Sequence, residues 1–440
     1  MEETIVAPAT PAGRGGVSII RVSGKEARVV GLSLCGELPE PWCFKPCSVL
    51  GEAGDLIDSG LVVFFSAPKS YTGEDVVEIH CHGNPLIVDS IVAAAVFFGA
   101  RVAEPGEFTK RAFLNEKIDL AQAESVADLI DAQTTSALVA AHSSLSGEFS
   151  SLVNKTIDRV IAARVLVEAC LDFSDEESVS VFEDRKQEIR LGIKGGVDDV
   201  SLLLDGSRVG SKMREGLRVV ILGPPNCGKS TLLNRLARED VAIVSDSPGT
   251  TRDLLRVTLD LGGLPVEFVD TAGLRTDAEE EVEIEGMKRA LSVSDTADLV
   301  VLMSCVGENF SPTIPATTKT LRLFNKIDAH PDYAPLEPEE VFISALTGQG
   351  IDGFVSSVFS AFGIGSGIEV PVLARRRHVD GLEKSLSFLL SSLSLLDAGE
   401  DLVLVAEELK EAQKHLGFIT RPLTSDELLG HIFSEFCVGK

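Results

Sequence analysis

Eight consecutive residues, Gly223-Pro224-Pro225-Asn226-Cys227-Gly228-Lys229-Ser230, fit the spacing G-x-x-x-x-G-K-[ST]. The backbone N–H groups of such a loop turn inward around a phosphate at a helix N-terminus. Gly223 and Gly228 permit the turn, Lys229 can reach the β- and γ-phosphates, and the Ser230 hydroxyl can ligate Mg²⁺. The apolar run Leu217–Leu222 precedes the loop, and Thr231-Leu232-Leu233-Asn234-Arg235-Leu236 follows at helical spacing. Strand, glycine loop and helix is the context that phosphate binding needs.

The phosphate loop alone does not separate ATP from GTP. Asn325-Lys326-Ile327-Asp328 does. At the end of a parallel strand, the Asp328 carboxylate can accept from the N1–H and the 2-amino group of guanine, and adenine has neither donor. The Lys326 stem can cover the base, and Asn325 can tie this loop to the phosphate loop. Ser344-Ala345 can offer a backbone N–H to the guanine oxygen. Asp270-Thr271-Ala272-Gly273 supplies an acid near Mg²⁺ and an N–H for the γ-phosphate, and Gly249-Thr250-Thr251-Arg252-Asp253 supplies a threonine that can close on Mg²⁺. These parts stand in the chain order of a GTPase. Leu274 occupies the place where Ras-like enzymes carry a water-orienting glutamine. Leucine cannot orient water, so Glu283, in the acidic run Glu279–Glu285, is the candidate; its other reading is a solvated helix start. Asn226 puts a side-chain oxygen beside the phosphates, where a monovalent cation could supply positive charge.

The elements that must position these residues are read from composition and periodicity. A chain of 440 residues suggests two to four domains. The longest apolar run, Ile91–Phe98, is too short to span a bilayer, so no membrane is expected. The acidic start Met1-Glu2-Glu3-Thr4 is unlike a signal or transit peptide. Eight scattered cysteines with no C-x-x-C point to a reducing cytoplasm. The net charge of −27 argues against a protein that coats nucleic acid with a general basic surface, and leaves room for a local basic site or a basic partner.

Residues 1–117 read as an α+β domain, with strands at Thr4–Ala7, Val17–Val22, Gly60–Phe65 and Val76–Ile79 and a helix over Pro85–Phe98. Gly13-Arg14-Gly15-Gly16 is a loop and a weak phosphate candidate. His80-Cys81-His82 invites a metal reading, but in a strand Cys81 points away from the two histidines. Residues 118–213 are helical: Leu120, Ala123, Ala127, Ile130 and Thr134 recur at helical spacing, as do Val160, Ala163, Val167 and Leu171. Leu171–Glu177 reads as an acidic turn between helices. Residues 214–365 alternate strand and helix, with apolar runs at 217–222, 265–269, 299–303, 321–324 and 341–343 that predict a parallel sheet. Gly363–Gly367 is a linker candidate. Residues 366–440 return to helix, with the basic run Arg375-Arg376-Arg377-His378, a stripe of Leu382, Leu386, Leu389, Leu393 and Leu396, and capping-box spacing from Thr424 to Glu427. The α/β unit is thus expected to be inserted into a helical domain.

Taken together, the motifs resemble one family, the tRNA wobble-uridine modification GTPases called MnmE or TrmE. The resemblance spans essentially the whole chain. It is carried by Pro11-Ala12-Gly13-Arg14-Gly15-Gly16, Tyr71-Thr72-Gly73-Glu74-Asp75, Pro105-Gly106-Glu107-Phe108-Thr109, Arg111-Ala112-Phe113-Leu114-Asn115, Asp119-Leu120-Ala121-Gln122-Ala123-Glu124, the GTPase motifs, Ala374–His378 and the terminal Phe436-Cys437-Val438-Gly439-Lys440.

The resemblance implies a multidomain protein. It would have an α+β, folate-binding-like N-terminal domain (1–117) that dimerises, an α-helical domain (118–213 with 366–440) and an inserted α/β Ras-like P-loop GTPase domain (214–365). It implies GTP as substrate, Mg²⁺ and K⁺ as ions and a tetrahydrofolate derivative, 5-formyl- or 5,10-methylene-, as one-carbon donor. Nucleotide contacts would come from Asn226, Cys227, Gly228, Lys229, Ser230 and Thr231, from Ser245, Asp246, Ser247, Pro248, Gly249, Thr250 and Thr251, from Asp270, Thr271, Ala272 and Gly273, and from Asn325, Lys326, Asp328, Ser344 and Ala345. K⁺ would sit near Asn226, Ser245, Ser247 and Thr250, Mg²⁺ on Ser230 and Thr251, and Glu283 would orient water through another water. Folate contacts would include Arg21, Glu78, Lys117 and Lys440. The implied partners are a second copy, the flavin-dependent protein MnmG (GidA) and tRNA, and the implied product is a carboxymethylaminomethyl-type group at C5 of the wobble uridine.

The chain departs from the family pattern in three places. Ser304–Arg322 is short and lacks a long helix. Cys227 replaces a small residue, which would make the phosphate loop oxidation-sensitive. Val438 stands for the commoner isoleucine. Two other readings stand beside this one. A ribosome-assembly GTPase would be expected to carry an RNA-binding domain or a second G domain, and neither pattern is found. A stand-alone folate enzyme with a regulatory G domain would turn over folate without a partner.

Overall fold

A computed structural model of the chain describes residues 3–171, 175–239, 242–243, 256–270, 297–308, 310–312, 314, 318–330, 340–363, 373–421, 432–434, 436 and 439. The chain divides into two compact units. One comprises 1–127, 145–154 and 414–440; the other comprises 128–144 and 155–413.

The first unit is built on a six-stranded sheet. Its strands are β1 (Ile5–Pro8), β2 (Gly15–Ser23), β3 (Phe44–Leu50), β4 (Leu56–Phe65), β5 (Val76–Gly83) and β6 (Arg101–Val102), in the order β3-β4-β5-β2-β1-β6. All pairings are antiparallel except β1 with β6. Alternation decides the faces. Ile20 and Val22 of β2, Val62 and Phe64 of β4, and Val77, Ile79 and Cys81 of β5 bury one face against helices α1 (Ala27–Cys35) and α2 (Pro85–Phe97). Arg21, Glu78 and His80 therefore fall on the other face. Helix α2 starts as its sequence dictates: the Asn84 side chain accepts the Leu86 N–H, and Pro85 takes the first helical position, where no N–H is needed. The sequence reading had no strand at β3 or β6.

Helix α3 (Glu107–Leu114) opens on Gly106, which is left-handed at φ 66°. A Cβ there would lie 2.6 Å from the Phe433 carbonyl oxygen, so Pro105-Gly106 needs its glycine twice over. Phe433 and Phe436 pack with Ile432, Leu120, Ala123 and Ala127 in one small core. The residues of the chain's end that are described thus complete the first unit.

Helices α4 (Leu120–Asp131), α5 (Thr135–Leu145) and α6 (Glu148–Leu171) follow, and two long helices beyond them carry a heptad pattern of burial. On α7 (Asp175–Glu215) the buried positions include Ile189, Ile193, Gly196, Val200, Leu203 and Ser207. On α10 (Arg376–Ala398) they are His378, Leu382, Ser385, Leu389, Ser392 and Leu396. Steps of four and three keep one stripe facing a partner helix. Leu386 and Leu393 of the expected leucine stripe are only half-buried, and serines fill the seam instead. Small residues let the helices approach: a Cβ at Gly192 would meet that of Ala163 at 3.3 Å, and one at Gly196 would contact Val160 and Leu389. Helix α7 begins at Asp175, so Asp175–Glu177 of the expected acidic turn belong to a helix.

The second unit also holds a seven-stranded sheet. Its strands are β7 (Leu217–Leu222), β8 (Ala242–Ile243), β9 (Arg256–Leu261), β10 (Leu264–Asp270), β11 (Leu299–Cys305), β12 (Lys319–Asn325) and β13 (Glu340–Phe342), in the order β13-β12-β11-β7-β10-β9-β8. The five expected strands pair in parallel. β9 and β8 extend the sheet antiparallel, so it is mixed rather than wholly parallel. Gly262 and Gly263, both at positive φ, make the two-residue turn between β9 and β10. Helices α8 (Lys229–Glu239) and α9 (Ile351–Ala361) flank the sheet, with Leu232, Leu233, Leu236, Ile351, Phe354 and Val358 in the core. On the other face, Phe310 and Ile314 cover Val220, Leu222, Val269 and Val300. These two side chains come from the β11–β12 connection, whose described residues form no helix.

Candidate functional site

The site begins at the C-terminal edge of the sheet, where chain crossings of an open α/β sheet leave a crevice. β7 is buried along nearly its whole length and delivers the loop 223–228 to the start of α8. The loop is tight enough to demand its glycines. A Cβ on Gly223 would overlap the Met303 carbonyl oxygen, and one on Gly228, at φ 103°, would overlap the Asn325 amide nitrogen. Asn226 also adopts a left-handed conformation, φ 59°, and is exposed. Asparagine tolerates this better than most residues. The loop's N–H groups and the N-terminus of α8 together make a place for an anion.

Lys229 is buried, and its Nζ donates to the carbonyls of Gly223 (2.8 Å) and Pro224 (3.0 Å). The ammonium therefore lies against the loop it would help fill. Ser230 is half-buried on the first turn of α8, and Thr231 is exposed beside it. Ser230 and Asn226 offer hard oxygen donors, the chemistry that Mg²⁺ and K⁺ take.

Cys227 behaves otherwise than its sequence position suggested. It is 0% exposed and packs in the core with Leu232 and Met303. Burial pushes its thiol up, and the nearby Lys229 ammonium only partly opposes this. A buried, protonated thiol is a poor nucleophile, so this geometry gives no support to an oxidation-sensitive phosphate loop. Cys227 is a small core residue.

The second half of the site is the end of β12. Asn325 is 3% exposed and uses both ends of its amide. Nδ2 donates to the Cys227 carbonyl at 2.7 Å, and Oδ1 accepts the Ala345 N–H at 2.9 Å. One side chain therefore joins the loop after β7 to the loop after β13. Lys326 follows in a left-handed conformation, φ 69°, and Lys326 and Asp328 are exposed. The Ile327 N–H donates to the Ile343 carbonyl at 3.3 Å, which sets the 326–328 turn beside the end of β13.

The N–H groups of Ser344 and Ala345, expected to face the base, are engaged here. Ser344 donates to the Gln349 carbonyl at 2.9 Å, and Ala345 donates to Asn325. The turn closes on itself and on Asn325, and so takes both N–H groups of Ser344-Ala345, from which the sequence offers one to a guanine oxygen. Arg235 of α8, which that reading passed over, donates to the carbonyls of Ala345 and Leu346. A guanidinium at helical spacing from a phosphate loop carries no signal in sequence, because its target lies 110 residues away.

Asp270 ends β10 opposite Ile221 of β7 in parallel register, which brings its backbone to the same sheet edge. Ser245, Asp246, Ser247, Pro248, Gly249, Thr250, Thr251, Thr271, Ala272, Gly273, Glu283 and Lys440 lie outside the described residues, as do Cys437 and Val438.

In the first unit, Arg21 and Glu78 face each other across β2 and β5, and Arg21 Nε donates to Glu78 Oε1 at 2.7 Å. The guanidinium lies 5.6 Å from the ring centres of Tyr71 and Phe108. Lys117 Nζ donates to the Pro68 carbonyl at 2.9 Å. Of the histidine motif, Cys81 is buried in the core, His80 packs edge-on to Phe44, and His82 pairs with Asp58 at 2.9 Å. Among the described residues no group of three His, Cys, Asp or Glu side chains is placed to hold a metal. The basic run also changes character. Arg375 is buried and bonds Asp128 at 2.9 Å, and the buried His378 ring accepts the Arg375 N–H as a helix cap.

A sequence model described as the MnmE helical domain matches residues 120–437, and one described as the GTP-binding protein TrmE N-terminus matches residues 4–117. The chain is 42% identical over 449 residues to the tRNA modification GTPase MnmE of Methylococcus capsulatus, covering 100% of this chain and 99% of that one. It is 43% identical over 460 residues to the protein of the same name from Haemophilus influenzae, covering 100% of both. The Neisseria meningitidis serogroup A protein of that name is 43% identical over 449 residues, covering 99% of each. With full-length identity at this level and two matching domain models, the chain belongs to the tRNA modification GTPase MnmE family.

Proposed function

We propose that this chain binds and hydrolyses GTP as one subunit of a system that modifies C5 of the wobble uridine in certain tRNAs. The observation that carries the nucleotide reading is Asn325, whose amide bonds both the phosphate loop and the loop after β13. In this reading that link holds phosphate recognition at α8 and base recognition at Asp328 and residues 344–346 in one frame. The family membership supports the tRNA side.

Within this reading, the loop N–H groups and Lys229 hold the β- and γ-phosphates, and Asp328 reads the guanine edge. Ser230 with Thr251 would hold Mg²⁺, which supplies charge neutralisation at the phosphates. Asn226 with Ser245, Ser247 and Thr250 would hold K⁺. Glu283 would orient water. The finer assignments are part of the same proposal: an N-terminal tetrahydrofolate-binding and dimerising domain over 1–117, helical segments over 118–213 and 366–440 and a G domain over 214–365. A folate derivative would lie near Arg21, Glu78, Lys117 and Lys440. An MnmG-type flavoprotein would be partner, and the complex would work in the cytoplasm. The pairing of Arg21 with Glu78 beside two aromatic rings is compatible with a planar, polar-edged ligand at that face.

Nucleoside analysis of tRNA from cells with and without this protein tests the proposal. Loss of the C5-modified wobble uridine supports it, and an unchanged nucleoside profile in a strain lacking any redundant enzyme refutes it. The nucleotide half is tested separately. Asp328→Asn should shift preference from GTP toward xanthosine triphosphate, and unchanged selectivity counts against the assignment.

A further inference from the structure

Arg235 sits on α8, half-buried, five residues beyond Ser230. Its Nε donates to the Ala345 carbonyl at 3.3 Å, and its Nη2 donates to the Leu346 carbonyl. A guanidinium fork that takes two successive carbonyls fixes the orientation of the peptide between them, because its donors are rigidly coplanar. That peptide is the Ala345–Leu346 unit.

The donors of the surrounding turn are accounted for one by one. Ser344 gives its N–H to the Gln349 carbonyl, Ala345 to Asn325 Oδ1, Thr347 to Ser344 Oγ at 3.1 Å, and Gly348 to the Ser344 carbonyl at 2.8 Å. Among the described residues no acceptor takes the N–H of Leu346. A trans peptide is planar, with its C=O and N–H pointing in opposite directions. Arg235 holds the C=O of this unit from the α8 side, so the Leu346 N–H points away from α8. An accepted bond at the carbonyl also polarises the N–H at the other end. Ala345 is thus clamped twice, by Asn325 at its N–H and by Arg235 at its C=O, and the next N–H in the chain is left as an aimed donor.

We infer that Arg235 is a specificity-positioning residue that aims the Leu346 N–H at the 6-oxo oxygen of a bound guanine, an assignment that rests on the guanine-nucleotide reading above. Arg235 touches no part of the nucleotide in this scheme and acts through the Ala345–Leu346 peptide. It also ties the helix that begins at the phosphates to the loop that reads the base.

The test compares three nucleotides on the full-length protein by competition binding: GTP, inosine triphosphate and 2-aminopurine riboside triphosphate. Inosine lacks the 2-amino group that Asp328 reads; 2-aminopurine lacks the 6-oxo group and, with it, the N1–H that Asp328 also reads, so the change in its ratio between wild type and variant, and not the ratio itself, reports the 6-oxo contact. Arg235→Ala should lower the preference for GTP over the 2-aminopurine nucleotide about tenfold, the worth of one misaligned neutral hydrogen bond. The preference for GTP over inosine triphosphate should stay as in the wild type. Arg235→Lys, with a single ammonium for two carbonyls, should recover part of the lost ratio. Two unchanged ratios overturn the inference, and so does an equal fall in both, which is the mark of a merely structural role. Should Arg235→Ala fold poorly, Arg235→Lys and Arg235→Met are read by the same two ratios. A wild-type protein that prefers GTP over neither analogue refutes the guanine reading itself. A wild type that discriminates and an Arg235→Ala that still does so equally well refutes only the role of Arg235.

Discussion

Asn325→Ala removes one side chain and two joints. The amide is 3% exposed and bonds the Cys227 carbonyl at 2.7 Å and the Ala345 N–H at 2.9 Å. Each neutral hydrogen bond contributes about 1 kcal/mol net, and each buried partner left unsatisfied costs about 1–3 kcal/mol. Water entering the vacated space offsets part of this, so about 3 kcal/mol of local destabilisation is expected at the junction of the two loops. That is roughly two orders of magnitude in the population of the locally open state. Native-state hydrogen exchange resolves it at a named amide. The Ala345 N–H should lose protection by about that factor while amides in the middle of β7 keep theirs. Asn325→Asp adds a control. It keeps an acceptor for Ala345 but sets an anionic oxygen against the Cys227 carbonyl, so the phosphate loop should loosen while Ala345 stays protected. Equal exchange at Ala345 in wild type and Asn325→Ala would refute the joint.

Three further outcomes are expected. Glu107 accepts from Arg101, Arg111 and the Glu104 N–H; these donors outweigh its burial and hold its carboxyl down at about 2. Its folded pKa lies below the ordinary glutamate value of about 4.3, so its stabilisation is complete above that pH and is lost as pH falls toward 2, amounting to about 2–3 kcal/mol. Unfolding midpoints of the wild type and Glu107→Gln should converge over that window, and parallel curves would contradict it. In the native protein a maleimide should label the exposed Cys43 and leave the buried Cys227 unmodified; equal labelling of the two would be inconsistent with the core position of Cys227. Gly106→Ala forces a Cβ onto a left-handed residue, at about 1–2 kcal/mol, and toward the Phe433 carbonyl, so the segment around Phe433 should become sensitive to protease; wild-type resistance would show that the contact yields freely.

The strand, tight loop and helix from Leu217 to Glu239 were legible from spacing, because they are contiguous in the chain and the glycines answer to local geometry. Gly223 and Gly228 illustrate this: the motif names them, and the overlap with Met303 and Asn325 is the reason. The rest depends on contacts between distant residues. Arg235 looks like any solvated helical arginine until residues 345 and 346 are brought to it. The engagement of the Ala345 N–H could not be read either, since it is Asn325, twenty residues upstream, that takes it. Arg375-Arg376-Arg377-His378 reads only as a dense basic run, and nothing local says that Arg375 and His378 are buried, since the partner of Arg375 is the distant Asp128. β3 and β9 were missed because neither presents an unbroken apolar run, and pairing with a neighbour supplies what propensity does not. The serines of α10 escaped a search for leucine, although close helix packing calls for small side chains.

The connection between β11 and β12, whose described residues form no helix, bears on the order in which the sheet assembles. Only 13 residues separate Cys305 from Lys319, and 14 separate Asn325 from Glu340, whereas 41 lie between Leu222 and Leu264. Closing a loop costs more entropy as it lengthens, by roughly 0.6 kcal/mol for each doubling, and contacts near in sequence form sooner. The corner β11-β12-β13, which carries Asn325, Asp328 and the 344–346 turn, therefore closes on shorter loops than the pair β7-β10 beside the phosphate loop. Phe310 and Ile314 can collapse onto Val300 as soon as β11 exists and need no separate helix to nucleate first. When the complete chain refolds, the corner that carries Asn325 would thus close ahead of the β7-β10 pair, although synthesis delivers β7 and β10 first.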